Sequence, residues 1–231
     1  MNIIKEYWND FIFLFYPEVC RACNRPLSKN EKWICTSCLL DMPKSDYWNN
    51  LKNPVNQMFW GKTKIEFASA FLLFSKDSSY RKLIHSLKYK DDKESGINLG
   101  ELYGKEIHLN SKYPTIDYII PVPLHPKKQK KRGYNQSECI SKGLSKALNI
   151  EYLTDSLVRI VNTSTQTKKH KDERWENVAG VFDVVNTNKI QGKHILLVDD
   201  VITTGATVEH CAMILIEKAN CKVSIACLAR A

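Results

Sequence analysis

The sequence predicts an α/β protein built on a parallel sheet, with a small four-cysteine module ahead of it. Three observations carry this expectation. From Ile116 onward, β-rich runs alternate with stretches of helical periodicity. One of those runs ends in paired carboxylates and passes through a Thr-Thr-Gly loop into an apolar helix. Near the N-terminus, Cys20, Cys23, Cys35 and Cys38 are spaced C-x2-C-x11-C-x2-C. The length of 231 residues suits one full domain and a small module. Apolar residues at 43% and charged residues at 26% exclude a disordered or collagen-like chain. No apolar run approaches the ~18 residues that a spanning helix needs.

In chain order, Ile4, Tyr7, Trp8, Phe11, Ile12 and Phe15 recur at helical spacing and predict an amphipathic helix packed on the body. A signal peptide is disfavoured. The apolar run Phe11 to Tyr16 is short, Glu6 and Asp10 precede it, and no small-residue cleavage site follows. The chain is expected to be cytoplasmic. Met42 to Asn56 reads as a turn-rich connector. Lys64 to Phe74 reads as a strand of imperfect alternation. Tyr80 to Tyr89 reads as a helix with Asp77 or Ser78 as its cap, and Gly96 to His108 as a second helix. Then follow a strand over Ile116 to Val122, a helix over Asn135 to Leu148, and a strand over Leu157 to Val161. The polar stretch Asn162 to Asn177 comes next. A strand over His194 to Asp200, a helix over Gly205 to Lys218 and a strand over Val223 to Leu228 complete the series. Parallel sheets bind ligands outside the carboxyl ends of their strands, so the loops after Val122 and Val198 are the places for a site.

The eight cysteines fall into two groups. Cys139, Cys211, Cys221 and Cys227 lie scattered in apolar stretches and read as small buried hydrophobes. A reducing compartment disfavours a disulfide framework for the clustered group. A redox dithiol is one reading of a C-x-x-C pair, but two such pairs at this spacing fit an all-cysteine zinc knuckle better. With Cys20, Cys23, Cys35 and Cys38 all as ligands, the site would be closed and the zinc structural.

HILLVDDVITTGAT, His194 to Thr207, is the most informative segment. A buried run delivers Asp199 and Asp200, and Thr203, Thr204, Gly205, Ala206 and Thr207 then open a helix. Unpaired amides and the helix dipole favour an anion there, and small residues allow close backbone approach. The threonines add hydroxyl donors. Two carboxylates repel a phosphate but suit vicinal sugar hydroxyls or Mg2+. A ribose 5-phosphate presents both groups. The plainer reading is a strand followed by capping residues, since Asp and Thr cap helices in many α/β proteins.

This segment resembles the PRPP-binding motif of type I phosphoribosyltransferases. Together with PVPLHPKKQKKRGYNQ (Pro121 to Gln136), the tract Arg159 to Phe182, the helix ending LKYKDD (Leu87 to Asp92) and the cysteine cluster, it resembles the ComF family. The resemblance runs from Cys20 to Ala229. It implies a type I phosphoribosyltransferase fold over residues 60–231, with an N-terminal helix and zinc module over residues 1–50. It further implies PRPP binding with Mg2+, handling of single-stranded DNA during natural transformation, and a competence helicase-like ATPase as a partner. PRPP would be held by Asp199, Asp200 and Thr203 to Thr207. Leu124 and His125 would belong to the pyrophosphate loop, with Arg132 opening the helix after it. A flap over Asn162 to Asn177 would contribute Lys168, Lys169 and Arg174. The lysine-rich run 127–131 departs from the family, where arginine is expected, and lysine cannot fork a phosphate.

An excess of 34 Lys and Arg over 25 Asp and Glu, a net charge of +9, favours an anionic ligand or partner. Lys127, Lys128, Lys130 and Lys131, with Trp33, Tyr47, Trp48 and Trp60, would also suit single-stranded nucleic acid, by basic groove and stacking. A solvated charge run and core aromatics are the plain alternatives. No helix-turn-helix pattern and no Gly-x-Ser-x-Gly motif is recognisable.

Overall fold

The computed structural model describes residues 17–73, 79–89, 92–110, 113–160 and 181–231. The expected N-terminal helix, the proposed caps Asp77 and Ser78, and the proposed flap with Lys168, Lys169 and Arg174 lie outside the described residues.

Among the described residues a four-stranded sheet organises the molecule, in the order β1 (Phe67–Leu73), β6 (Lys222–Arg230), β5 (His194–Ile202), β2 (Tyr118–Pro121), with every neighbouring pair parallel. The imperfect alternation of β1 has a simple cause. Phe67 through Leu72 are buried on both faces, as strands sandwiched between helices must be. Both sheet edges are covered. On β1, Ser45 donates its amide to the Phe71 carbonyl and Leu73 donates to Pro43. On β2, Ile119 donates to Glu151 and Leu153 donates to Ile119. Open edges invite pairing with other chains, and these short segments block them.

One face of the sheet carries α3 (Ser79–Tyr89), α4 (Lys93–Leu109) and α6 (Gln136–Leu148), with Leu83, Leu99, Tyr103, Ile140 and Leu144 in a common core. The cysteine segment, with α1 (Thr36–Leu40), joins the same core through Cys20, Leu27 and Cys38. The other face carries α8 (Ala206–Ala219), α2 (Pro54–Gln57) and α7 (Thr187–Ile190), with Val55, Ile190, Val208 and Leu215 inside.

Three sequence expectations change. Leu157–Arg159 (β3) lies outside the main sheet and pairs antiparallel with β4 (Phe182–Val184). The run Pro126–Arg132, for which no element is expected, is a helix, α5, and Arg132 ends it before the left-handed Gly133 instead of opening the next helix, which starts at Gln136. Proline at its first turn and the His125 ring, whose Nδ1 accepts the Lys127 amide at 3.1 Å, start it. Trp48 is 2% exposed and packs on Phe71 and Tyr103 at centroid distances of 5.7 and 5.9 Å, so it is a core residue. Trp60, by contrast, is 58% exposed. Among the scattered cysteines, Cys211, Cys221 and Cys227 are buried as expected, whereas Cys139 is half-buried.

Helix α4 begins at Lys93, earlier than its apolar period suggests, because Asp92 caps it. Its Oδ1 accepts the Ser95 amide at 3.2 Å, and its Oδ2 accepts the Ser95 and Ser86 hydroxyls at 2.7 and 3.1 Å. Gly96, Gly100 and Gly104 then recur every fourth residue along the face that meets α6. A Cβ on Gly100 would lie 2.2 Å from the Ile140 carbonyl oxygen, and one on Gly143 would lie 2.0 Å from that of Ile97. The two backbones touch, so Gly143→Ala must push the helices apart. It should cost about 2 kcal/mol or more, as overpacking does, read as a lowered denaturant midpoint.

Candidate functional site

The carboxyl ends of β5 and β2 lie side by side, and the Val122 amide donates to the Val198 carbonyl at 2.8 Å. Strand β5 runs two residues beyond the expected end at Asp200, to Ile202, and Asp199 and Asp200 within it are both half-buried. Asp199 Oδ1 accepts the Ser137 hydroxyl at 3.0 Å and the Asp200 amide at 2.9 Å. Asp200 Oδ1 accepts the Val201 amide at 2.7 Å.

Thr203, Thr204, Ala206 and Thr207 are exposed and arch over buried Ile202, Gly205 and Val208. Gly205 is the N-cap of α8 in the left-handed region, φ +80° and ψ −6°, and supplies no side-chain cap. The Ala206 amide lies 3.5 Å from Thr204 Oγ1. The first-turn amides of a fourteen-residue helix therefore open on the loop, with the positive end of its dipole behind them. The loop and Asp199 enclose a concavity of about 40 Å3. Asp200 does not line it, in keeping with the alternation of side chains along a strand.

Leu124 and His125 follow β2 at the same sheet edge. The His125 ring is engaged as the cap of α5. Lys127, Lys128, Lys130 and Lys131 are exposed along α5, and Arg132 Nη1 donates to Gln136 Oε1 at 2.9 Å.

Sequence reasoning passed over the residues that hold these parts together. Asn135 caps α6 by accepting the Ser137 amide at 3.2 Å, and its Nδ2 donates to the Val122 carbonyl at 3.0 Å. The Tyr134 hydroxyl and Gln136 Nε2 both donate to the Leu87 carbonyl at the end of α3, at 2.5 and 3.0 Å. Ser137 completes the set by holding Asp199. The run Asn135-Gln136-Ser137 at a helix start was the available signal, since such residues favour caps. Their distant partners were not readable.

The cysteine cluster is assembled by turns. Asn24, in the left-handed region, donates to the Cys20 carbonyl, and the Cys20 amide donates to Arg25, both at 2.8 Å. Cys35 opens α1, with the Cys38 amide 3.5 Å from its Sγ. The Cys35 amide donates to Cys20 Sγ at 3.3 Å. The four Sγ atoms lie within 4.8 Å of one another, and those of Cys23 and Cys35 are 3.8 Å apart. A tetrahedron with Zn–S near 2.3 Å has S–S edges of about 3.8 Å, so the donor set fits zinc. Arg25 Nε, 3.4 Å from Cys23 Sγ, is the main cause that lowers the Cys23 thiol to about 6 and so favours the thiolate a metal needs. Glu31 accepts the Ser28 amide at 2.9 Å and the Thr36 amide at 2.5 Å, which lowers its carboxyl to about 2 and ties the hairpin to α1. The Tyr80 hydroxyl donates to the Cys38 carbonyl at 2.6 Å and joins the module to α3.

A parallel sheet whose strand ends present this loop, with a matching sequence profile, defines the class. Residues 136–231 match the phosphoribosyl transferase domain, and the chain has the type I fold of that class. The chain is 29% identical over 220 residues to the DNA utilization protein YhgH of Escherichia coli O157:H7, covering 92% of this chain and 90% of that one. It is 37% identical over 114 residues to Competence protein F of Haemophilus influenzae, covering 49% and 50% of the two chains. Competence protein ComFC of Bacillus subtilis is 35% identical over 107 residues, covering 46% and 41%. Together these similarities support the ComF family.

Proposed function

We propose that this chain binds PRPP as its magnesium complex and transfers or senses the phosphoribosyl group in the handling of single-stranded DNA. The observation that carries this is the strand β5 ending in Asp199 and Asp200 and leading into the open Thr203–Thr207 loop at the head of α8. The loop amides and threonine hydroxyls hold the 5-phosphate. The two carboxylates accept the ribose hydroxyls, with Asp199 set by Ser137. If transfer occurs, a nucleophile attacks C1 of the ribose and pyrophosphate leaves. Asp199 and Asp200 would hold magnesium brought with the ligand's phosphates, and that ion would supply charge neutralisation. Among the described residues, no helix is long and apolar enough to cross a membrane. We assign the chain to the cytoplasm, whose reducing conditions keep clustered cysteines available as metal ligands.

Changing both Asp199 and Asp200 to Asn sets two effects against each other. It removes charge near a polyanion, and it removes charge-assisted bonds to the ribose, worth roughly 1.5–3 kcal/mol each. Mg2+ and solvent screen the repulsion, so the second effect prevails. Calorimetry should find PRPP–Mg2+ affinity reduced about tenfold, or ~1.4 kcal/mol. Affinity equal to the parent's refutes the diol clamp.

The cysteine cluster is proposed to hold one structural zinc, because four Sγ atoms within 4.8 Å of one another have the spacing of a tetrahedral thiolate set. Elemental analysis should return one zinc per chain, lost in Cys35→Ser. Metal-free protein from a chelator-free purification contradicts this.

The exposed lysines of α5 favour a nucleic-acid surface at the same sheet edge. Single-stranded DNA affinity should fall steeply with salt as counterions leave. Replacing Lys127, Lys128, Lys130 and Lys131 by Gln should flatten the log–log slope by about 0.7 for each phosphate that is no longer neutralised. An unchanged slope places the DNA elsewhere.

A further inference from the structure

The loop Thr203–Thr207 contains little that would hold it in shape. Its outer residues are exposed, its helix cap is a glycine, and the Ala206–Thr204 contact is long at 3.5 Å. An anion cradle works only if its amides already point at the ligand, because a small displacement weakens every bond at once. Something outside the loop must supply that order.

The connector between the cysteine module and β1 lies directly beneath it. Phe59 is 2% exposed and shares a core with Ile202 and Val208, the residues on either side of the loop. A Cβ on Gly205 would lie 3.3 Å from Cε1 and Cζ of the Phe59 ring and 3.5 Å from Cε of Met58. The connector is itself fixed at both ends. At one end Asn53, 1% exposed, donates to the Tyr47, Asn50 and Ala68 carbonyls at 3.1, 2.8 and 2.8 Å. Its Oδ1 accepts the Val55 and Asn56 amides at 2.8 and 3.0 Å, which starts α2 and pins it to β1. At the other end Thr63 Oγ1 donates to Glu209 Oε1 at 3.3 Å, on the first turn of α8. Between them the Lys62 and Thr63 amides donate to the Phe59 carbonyl at 3.1 and 3.2 Å.

We propose that Phe59 is a positioning residue for the anion loop: its ring, held against Gly205 by a connector anchored on β1 and α8, sets the direction of the loop amides. This rests on the reading of Thr203–Thr207 as the 5-phosphate site. Phe59 touches no ligand. It acts through the glycine, where the positive φ and the lack of a side chain let backbone and ring meet.

Two measurements on the full-length, zinc-loaded protein test it. In the ligand-free protein, hydrogen exchange at the amides of Thr204 to Val208 should be about tenfold faster in Phe59→Ala, with β5 unchanged. By calorimetry, ribose 5-phosphate should bind about tenfold more weakly to Phe59→Ala, whereas pyrophosphate–Mg2+, which does not use this loop, should bind as before. Phe59→Leu, which refills most of the space, should restore both readouts. If Phe59→Ala does not fold, Phe59→Val is read in the same assays. Unchanged exchange with unchanged ribose 5-phosphate affinity overturns the proposal. So does an equal loss for both ligands, which would mean general destabilisation. A parent protein that binds no sugar phosphate refutes the 5-phosphate site, and the exchange arm still decides whether Phe59 orders the loop.

Discussion

The carbonyl of Leu87 is the point on which the site depends. A buried carbonyl has two lone pairs, and leaving them unfilled at a helix end is costly. Here Tyr134 and Gln136 fill both from one short connector, and the residues between and after them face the other way, into the sheet. Asn135 takes the end of β2 and Ser137 takes Asp199 on β5. The run 134–137 therefore fixes the distance from α3 to the sheet edge, sets the first turn of α6 and orients an acidic side chain. All four residues are buried, and the bonds to the Leu87 and Val122 carbonyls are made away from competing water.

That connector works because α6 is held against α4 at backbone contact. Gly100 and Gly143 let the two backbones meet directly, and Gly96 and Gly104 leave room for the Cβ atoms of Cys139 and Ala147. Rigid placement of α6 on the sheet gives Ser137 a fixed reach to β5. On the opposite face, the connector through Asn53 and Phe59 supports the loop after β5 from below. The two faces thus support different halves of the candidate site, the carboxylate end of the strand and the amide end of the helix.

The cysteine module is joined to the same frame and does not hang from it as a separate bead. Cys20 and Cys38 share a core with Leu83 and Leu99, and Tyr80 bonds the Cys38 carbonyl. Helix α3 touches the module near its start and the Tyr134–Gln136 connector at its end. Burial explains the division of labour among the cysteines. Cys23 is the half-buried member and has Arg25 beside it, while the other three sit inside.

Much of this was legible in the sequence because its signals are local. Strand and helix periodicity, the Asp199-Asp200 to Thr207 segment and the paired cysteines each announce themselves within a few residues, since backbone geometry and capping act at short range. From them came the parallel α/β class, the position of the loop at the head of α8 and the grouping of Cys20, Cys23, Cys35 and Cys38. Tertiary structure alone decided which polar residues hold the site. Gln136 and Leu87 are 49 positions apart, and Ser137 and Asp199 are 62 apart. It also turned Trp48 from a stacking candidate into core, made a helix of the lysine run, and drew Leu157–Arg159 out of the main sheet. Each of these outcomes depends on burial and on partners brought together by folding, and neither is a property of neighbours in the chain.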